Sequence, residues 1–132
     1  AVLRDAHVER ALRMLDRLDV AFVGVGPADF HGPLHEGDNF FSADQLAQVR
    51  AAGAVGQLNQ RFVDARGDAL PTPLDELVVA ITLEQLRAAG TRVLVAGGTT
   101  KWAPLRAALC GGWVDVLVTD LASARYLISH AD

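Results

Sequence analysis

Apolar positions along the chain follow two patterns, and together these predict helices that alternate with short strands. In residues 2–17, Val8, Leu12 and Leu15 are spaced four and three apart among charged residues, which predicts an amphipathic helix. Short, continuous apolar runs predict strands that are buried on both faces. The predicted strands cover 19–24, 54–63, 77–81, 92–96 and 114–118. Four further helices are predicted: over 42–52, over 82–89, from after Thr100 to the stop at Gly111, and from the cap at Asp120 onward.

Capping signals and spacing refine the predicted helices. Ser42, with Gln45 three residues later, forms a capping-box pattern, and Asp120 is placed to cap the last helix. The last two helices are predicted to bury one face each, formed by Trp102, Leu105 and Leu109 in the first and by Leu121, Ala124 and Ile128 in the second.

Glycine, proline and aspartate mark the connections. The segment 24–27 is predicted to be a turn, 28–41 a long loop that could cover a site, and 71–73 an irregular connector. Residues 66–68 are predicted to form a turn, with Asp64 as a hairpin-turn residue beside it.

The alternation of apolar strands and amphipathic helices predicts an α/β fold with a mostly parallel sheet flanked by helices. In such sheets ligands bind at the carboxyl ends of the strands. We therefore expect residues 24–26, 97–101 and 119–120 to lie at one edge of the domain.

Composition limits the class of protein. The chain has 132 residues, of which 51% are hydrophobic and 21% charged, so it is one globular domain or part of one. The net charge is -4 and the basic residues are scattered, which argues against direct binding to nucleic acid. A single cysteine, Cys110, lies beside an apolar run and is expected to be a buried small side chain in a reducing cytoplasm. Neither a signal peptide nor a membrane span is predicted.

The segment 93–101 is the strongest candidate for a ligand site. It runs an apolar strand into Gly97 and Gly98 and then into a helix beside Lys101. Paired glycines allow close approach of the backbone, and a helix start offers free N–H groups and a positive dipole end. The pattern favours an anion, although a glycine junction that serves packing alone has the same sequence.

Other candidates have structural explanations beside functional ones. Gln57 could recognise a sugar hydroxyl or simply be a polar residue on an exposed strand face, and Asp120 is favoured as a helix cap over a ligand contact. Trp102 and Trp113 are interpreted as core aromatics. A metal cluster is not favoured, because the residues that could form it lie on a broken loop rather than at helical spacing: His31, His35, Glu36 and Asp38. No catalytic residue, metal or cofactor is predicted.

Five short motifs, taken in order, resemble the sugar-binding domain of SorC-type transcriptional regulators. They are Gly24-Val25-Gly26, Gly53-Ala54-Val55-Gly56, Phe62-Val63-Asp64 followed by Gly67, Ala96-Gly97-Gly98 with Lys101, and Leu117-Val118-Thr119-Asp120 with Ala124. The resemblance implies a fold similar to the sugar-phosphate isomerase and CoA-transferase superfamily. It also implies that residues 1–132 are the later part of an effector-binding domain, whose first strands and winged-helix DNA-binding domain would precede Ala1.

The resemblance further implies a phosphorylated sugar as effector, contact with DNA only through the preceding domain, assembly into a homo-oligomer and no membrane partner. The candidate ligand-binding residues, taken from the strand ends, the glycine turn and the resemblance together, are Gly26, Gln57, Gly97, Gly98, Lys101 and Asp120. Two positions depart from the family pattern: Gln57 stands where an acidic residue is common, and Leu77 where arginine is frequent.

Three functions remain open on the sequence. The first is a non-enzymatic sensor that binds a phosphorylated sugar and controls carbohydrate-metabolism genes. The second is an enzyme similar to sugar-phosphate isomerases, which would need a general base near the substrate carbon. The third is an assembly module without ligand, which the departures at Gln57 and Leu77 motivate.

Overall fold

Two three-stranded sheets form the framework of the computed structural model, which describes residues 2–29 and 41–131. A parallel sheet has the order β1-β5-β6 and an antiparallel sheet the order β2-β3-β4. The strands are β1 Val20–Val23, β2 Val25–Pro27, β3 Ala54–Leu58, β4 Arg61–Asp64, β5 Thr91–Val95 and β6 Val116–Val118. The helices are α1 Ala6–Met14, α2 Ala43–Ala51, α3 Leu83–Ala88, α4 Trp102–Cys110 and α5 Leu121–Ser129.

The α/β class and the parallel sheet flanked by helices are confirmed. The antiparallel sheet is an addition that the apolar runs did not reveal. Residues 25–27, predicted to be part of a turn, form β2 and pair with β3, and the extended stretch 54–63 is a hairpin of β3 and β4. No described helix is long and apolar enough to cross a bilayer.

Helix α4 holds the two sheets together. It contributes Leu105, Ala107 and Ala108 to the main core, where they pack with Leu94 of β5 and Leu58 of β3. A smaller core lies on the other side of the antiparallel sheet and includes Leu46, Val49, Phe62 and Leu74. The two sheets are therefore joined through one shared core, to which α4 contributes several buried side chains.

Close approach of α4 to the antiparallel sheet requires glycine at particular positions. A Cβ atom at Gly56 would collide with Pro104 of α4, and one at Gly67 would collide with the backbone of Ala107 and Gly111. The indole N–H of Trp113 donates to the carbonyl of Gly67 at 2.7 Å. These contacts bring the end of α4 against the turn after β4.

The predicted helices are found, with differences at their ends and faces. The first splits into the 3₁₀ turn Val2–Arg4, α1 and a second 3₁₀ turn Leu15–Arg17, and Val8, Leu12 and Leu15 form its less exposed face as predicted. The capping boxes at Ser42 and Thr82 and the Asp120 cap are present.

Burial in the last two helices was predicted partly wrongly. Leu121 and Ile128 are 66% and 77% exposed, and Leu109 and Cys110 are also exposed. In α5 the inward positions belong instead to Ser123, which is fully buried, and to Leu127, which packs on the main core. Ser123 on the inward face is hydrogen bonded to Asp120 and Trp102, so a polar residue occupies the face that the apolar pattern assigned to leucine and isoleucine.

The predicted strand at 77–81 is wrong. Residues Pro73–Leu77 form a 3₁₀ turn capped by Thr72 and Asp75, and the extended residues after it pair with no described strand. The backbone carbonyls of this segment accept hydrogen bonds from Arg61 instead of from a neighbouring strand. The Arg61 guanidinium donates to the carbonyls of Asp75, Val78, Ala80 and Ile81 at 2.8–3.4 Å and to the Asp75 carboxylate at 3.2 Å.

Arg61 should therefore contribute strongly to stability. Its side chain is about nine-tenths buried, and an Arg61→Met substitution leaves several carbonyls without donors. We expect the free energy of unfolding to fall by about 3 kcal/mol or more, measured by chemical denaturation. Arg66→Met is the matched control, because Arg66 is 82% exposed in its ion pairs and such pairs contribute little. Equal stability of the two variants would contradict this role of Arg61.

Candidate functional site

The carboxyl ends of β5 and β6 meet at one edge of the parallel sheet. Beyond β5 the chain passes through Gly97 and Gly98 into the 3₁₀ turn Thr99–Lys101, which leads directly into α4. Gly98 has φ 94° and ψ 150°, a backbone conformation that favours glycine. At Gly97 a Cβ atom would collide with the Asp120 carboxylate. The two positions therefore require glycine for different reasons: Gly98 for its backbone dihedral angles, and Gly97 because a Cβ atom would not fit.

Asp120 connects three elements at this edge. Its Oδ1 atom accepts the backbone N–H of Ser123 at 2.8 Å and so caps α5. Its Oδ2 atom accepts the backbone N–H of Gly98 at 2.8 Å and the Ser123 hydroxyl at 2.7 Å. The Trp102 indole N–H then donates to the Ser123 hydroxyl oxygen at 3.0 Å. A continuous hydrogen-bonded chain therefore joins the glycine turn, the start of α5 and the start of α4.

These donors keep the Asp120 carboxylate ionised. The backbone N–H and the hydroxyl of Ser123, followed by the backbone N–H of Gly98, lower the pKa of Asp120 from 3.8 to about 2. The carboxylate is therefore a negative charge at the strand edge at every physiological pH. The Asp120 carboxylate also accepts the Gly98 N–H, which the sequence predicted to be free for an anionic ligand.

A shallow cavity of about 250 Å³ lies at the same edge, lined by Val95, Ala96, Gly97, Val118, Thr119 and Asp120. The Thr119 hydroxyl oxygen is buried and has no hydrogen-bond partner among the residues that the structure describes. Buried hydroxyl groups are normally paired, so an unpaired one beside a cavity is available to a ligand or water. The sequence placed Thr119 at this edge but gave no reason to select its hydroxyl.

Gln57 and Gly26 lie opposite each other in the ladder between β3 and β2. The Gln57 side chain covers Gly26, where a Cβ atom would collide with the carboxamide nitrogen. Its carboxamide oxygen accepts the backbone N–H of Gln60 at 2.6 Å, which supports a tight turn in which Asn59 and Gln60 have φ of 48° and 67°. Gln57 is only 9% exposed, so the interpretation as an exposed-face residue is wrong. Its NH₂ group makes no hydrogen bond to a described residue.

Lys101 is the only lysine in the chain and ends the 3₁₀ turn before α4. Its side chain is half-buried and forms no ion pair or hydrogen bond with the part of the chain that the structure describes. Helix α4 has no side-chain cap, but the backbone N–H groups of Lys101 and Trp102 donate to the carbonyls of Gly98 and Thr99 in the preceding 3₁₀ turn. The turn that contains Lys101 also contacts β2, which brings it near Gly26.

Five of the six residues suggested by the sequence thus lie in two groups, and the sixth, Lys101, belongs to the Thr99–Lys101 turn that connects them. Gly97, Gly98 and Asp120 are joined by hydrogen bonds and packing, while Gly26 and Gln57 form a separate pair. The four residues weighed as metal ligands lie outside the described residues, as does most of the loop predicted at 28–41.

The lowered pKa of Asp120 predicts how an Asp120→Asn substitution acts at different pH values. Because the folded pKa of about 2 lies below the unfolded 3.8, the ionised carboxylate stabilises the fold above pH 4. This contribution is lost as the pH falls through the folded pKa. We expect Asp120→Asn to be less stable than wild type at pH 7, and the pH-dependent part of the difference to vanish towards pH 2.

Thermal unfolding of both proteins between pH 7 and about 2.5 measures the effect, within the window that linkage sets. Asp19→Asn serves as the control, since Asp19 is exposed and its carboxylate makes no hydrogen bond or ion pair with the residues that the structure describes. A constant difference between wild type and Asp120→Asn down to the lowest pH would contradict the assignment.

Comparison with known proteins gives a consistent result. Residues 1–129 match the family model described as "Putative sugar-binding domain". The deoxyribonucleoside regulator of Bacillus subtilis (strain 168) is 30% identical over 128 residues, which are 97% of this chain and 40% of that protein. The chain therefore spans about two fifths of the length of the curated relatives it matches.

Solved structures agree in fold. The full-length sorbitol operon regulator SorC from Klebsiella pneumoniae superposes with a TM-score of 0.85 at 28% identity, over 96% of this chain and 41% of that one. A domain of a possible sugar-binding transcriptional regulator from Arthrobacter aurescens TC1 gives a TM-score of 0.80 at 31% identity, over 96% of this chain and 49% of that one. The chain belongs to the sugar-binding domain family of SorC-type transcriptional regulators.

Proposed function

We propose that this chain is the later part of an effector-binding domain that senses a phosphorylated sugar in a bacterial-type transcriptional regulator. The observation that carries the proposal is the start of α4, where the only lysine of the chain lies at the carboxyl edge of the parallel sheet with no ion pair to a described residue. A cation at a helix start is electrostatically unfavourable unless an anion compensates it. A phosphate group supplies that anion.

The remaining candidate groups suit sugar hydroxyls better than a second anion. Asp120 repels a phosphate and accepts hydrogen bonds, while the Thr119 hydroxyl and the Gln57 NH₂ group can donate them. The phosphate therefore belongs near Lys101 and the sugar towards Thr119, Asp120 and Gln57. This division assigns Gly98 a role in shaping the turn rather than in binding the phosphate through its N–H group.

A purely binding role is favoured over catalysis. A general base works best when its pKa lies near the operating pH, and Asp120 has a pKa of about 2. Asp64 is engaged in the turn after β4, where its carboxylate accepts the backbone N–H groups of Arg66 and Asp68. The relatives reported above are named as regulators. Within the described residues, neither carboxylate is suited to abstract a proton from a sugar phosphate.

The proposed context is a longer polypeptide. The first strands of the domain and a winged-helix DNA-binding domain lie outside this chain, and the regulator acts in the cytoplasm as a homo-oligomer. Effector binding at the strand edge changes how the DNA-binding domains are held, and DNA is contacted only through them. The acidic charge of this chain agrees with that division of roles.

Removing the Lys101 charge should weaken the effector without unfolding the protein. In the complete effector domain, Lys101→Ala is expected to weaken a sugar phosphate by about tenfold to a hundredfold, the loss of one charge-assisted contact. Titration calorimetry measures this change. The thermal midpoint of the unliganded protein should stay near wild type, while most of the ligand-induced rise disappears.

Two matched variants sharpen the test. Lys101→Arg keeps the charge and should retain most of the affinity, and Arg10→Ala removes an exposed cation of α1 and should change neither quantity. If Lys101→Ala binds the effector as tightly as wild type, the glycine turn serves packing and not phosphate binding.

The two other functions give different results with the full-length regulator. An isomerase-like enzyme would interconvert aldose and ketose phosphates in a coupled assay, and an Asp120→Asn or Asp64→Asn variant would lose that turnover. An assembly module would keep its oligomeric state in sedimentation and show no binding heat with any sugar phosphate. The sensor should bind a sugar phosphate and leave it chemically unchanged.

A further inference from the structure

The Ser123 side chain is fully buried, and its hydroxyl group both accepts and donates a hydrogen bond. It accepts the indole N–H of Trp102 at 3.0 Å and donates to Oδ2 of Asp120 at 2.7 Å. The direction of both bonds is fixed, because an indole nitrogen only donates and an ionised carboxylate only accepts. The hydroxyl proton of Ser123 therefore lies between Ser123 and Asp120.

Capping of α5 does not by itself require this hydroxyl. The cap is the bond from the backbone N–H of Ser123 to Oδ1 of Asp120 at 2.8 Å, which any residue except proline could supply at position 123. The hydroxyl acts on the other oxygen, Oδ2, which also accepts the backbone N–H of Gly98 at 2.8 Å. Ser123 and Gly98 thus hold the second carboxylate oxygen, which the cap does not use.

The hydrogen bonds of Asp120 leave little room for a ligand. An ionised carboxylate offers about four acceptor positions, shared equally by its oxygens. Gly98 and the Ser123 hydroxyl take both positions of Oδ2, and the Ser123 N–H takes one of Oδ1. The Ala122 N–H adds only the smallest contribution to the lowered pKa of Asp120. Since Asp120 is exposed, at most one acceptor position, on Oδ1, is open to a hydroxyl group of a ligand.

We propose that Asp120 accepts a hydrogen bond from a single hydroxyl of the effector, through Oδ1, and that Ser123 is the positioning residue that imposes this limit. Given the proposed sugar-phosphate function, on which this inference rests, the site recognises one hydroxyl at Asp120. It does not hold two neighbouring hydroxyls with both oxygens of the carboxylate. Effectors are thereby restricted to sugars that carry a hydroxyl at that one position.

A purely structural role of Ser123 is the competing explanation, because its hydroxyl also joins α4 to α5. Trp102→Phe separates the two roles. It removes the indole N–H but keeps an aromatic ring for the stack on Tyr126, whose ring centroid lies 4.5 Å from that of Trp102. In this variant the Ser123 hydroxyl still donates to Asp120, whereas in Ser123→Ala that donor is absent.

Binding of deoxy sugar phosphates to the full-length regulator tests the inference. Titration calorimetry first selects the tightest binder among pentose phosphates and hexose phosphates, in aldose and ketose forms. Each monodeoxy analogue of that compound is then titrated into wild type and Asp120→Ala. We expect the loss of one hydroxyl only to weaken binding to wild type about tenfold to a hundredfold more than binding to Asp120→Ala, the size of one charge-assisted hydrogen bond.

The two variants should change this pattern differently. In Ser123→Ala, Oδ2 regains an open acceptor position and the carboxylate can turn. The loss that depends on Asp120, measured against the double variant with Asp120→Ala, should then fall on more than one hydroxyl or shrink below about threefold. Trp102→Phe should keep the loss at the one hydroxyl.

Three results would overturn the inference while leaving the sugar-phosphate function intact. They are a wild type in which none or several of the hydroxyls depend on Asp120, a Ser123→Ala variant with the wild-type pattern, and equal changes in Ser123→Ala and Trp102→Phe. Absence of binding by every sugar phosphate would instead contradict the proposed function itself, together with the inference that rests on it.

A second measurement needs no effector. The pKa of the Asp120 carboxyl, followed by NMR titration, should be higher in Ser123→Ala than in wild type, because the Ser123 hydroxyl is one of the donors that lower it. Trp102→Phe should change this pKa less than Ser123→Ala does. An equal pKa in wild type and Ser123→Ala would show that the hydroxyl does not hold Oδ2, and the proposed limit would be wrong.

Discussion

The arrangement of the whole chain depends on how closely α4 packs between the two sheets. Glycines at 56, 67 and 111 remove the side chains that would keep helix and hairpin apart, and the Trp113 indole closes the contact on the Gly67 carbonyl. The same helix begins directly after the glycine turn at the end of β5. The packing of α4 therefore affects the geometry of the candidate site, because any shift of α4 also moves Lys101 and Trp102 relative to the strand ends.

Local signals in the sequence were sufficient for three of the five described helix starts. Ser42, Thr82 and Asp120 are caps whose partners lie three residues away, so nearby residues alone determine them. Long-range polar contacts explain the errors. The apolar segment 77–81 has the composition of a strand, but Arg61 binds its carbonyls from about twenty residues away. In α5 the inward Ser123 accepts the Trp102 indole N–H, and the spacing of apolar residues does not predict a buried serine.

In the candidate site, too, the sequence predicted the features that depend on nearby residues and missed those that depend on distant ones. The Gly97-Gly98 turn, Lys101 and the position of Asp120 follow from a strand that leads into a helix, and their meeting at one sheet edge follows from parallel topology. The burial of Gln57 over Gly26 depends on a cross-strand pairing in a sheet that the sequence did not separate from the first. The unpaired Thr119 hydroxyl could be seen only in three dimensions. Polar groups whose roles depend on distant partners are thus the part that sequence reasoning missed.

The hydrogen bond from Gly98 to Asp120 has a consequence for how a signal could leave this edge. The turn is held in place by protein groups alone, so its conformational entropy is lost on folding and not when a ligand arrives. We therefore expect this turn to keep its conformation when a ligand binds. Binding of the proposed effector would then be transmitted as a rigid displacement along the hydrogen-bonded series Gly98, Asp120, Ser123 and Trp102. The relative tilt of α4 and α5 is the quantity that such a displacement would change.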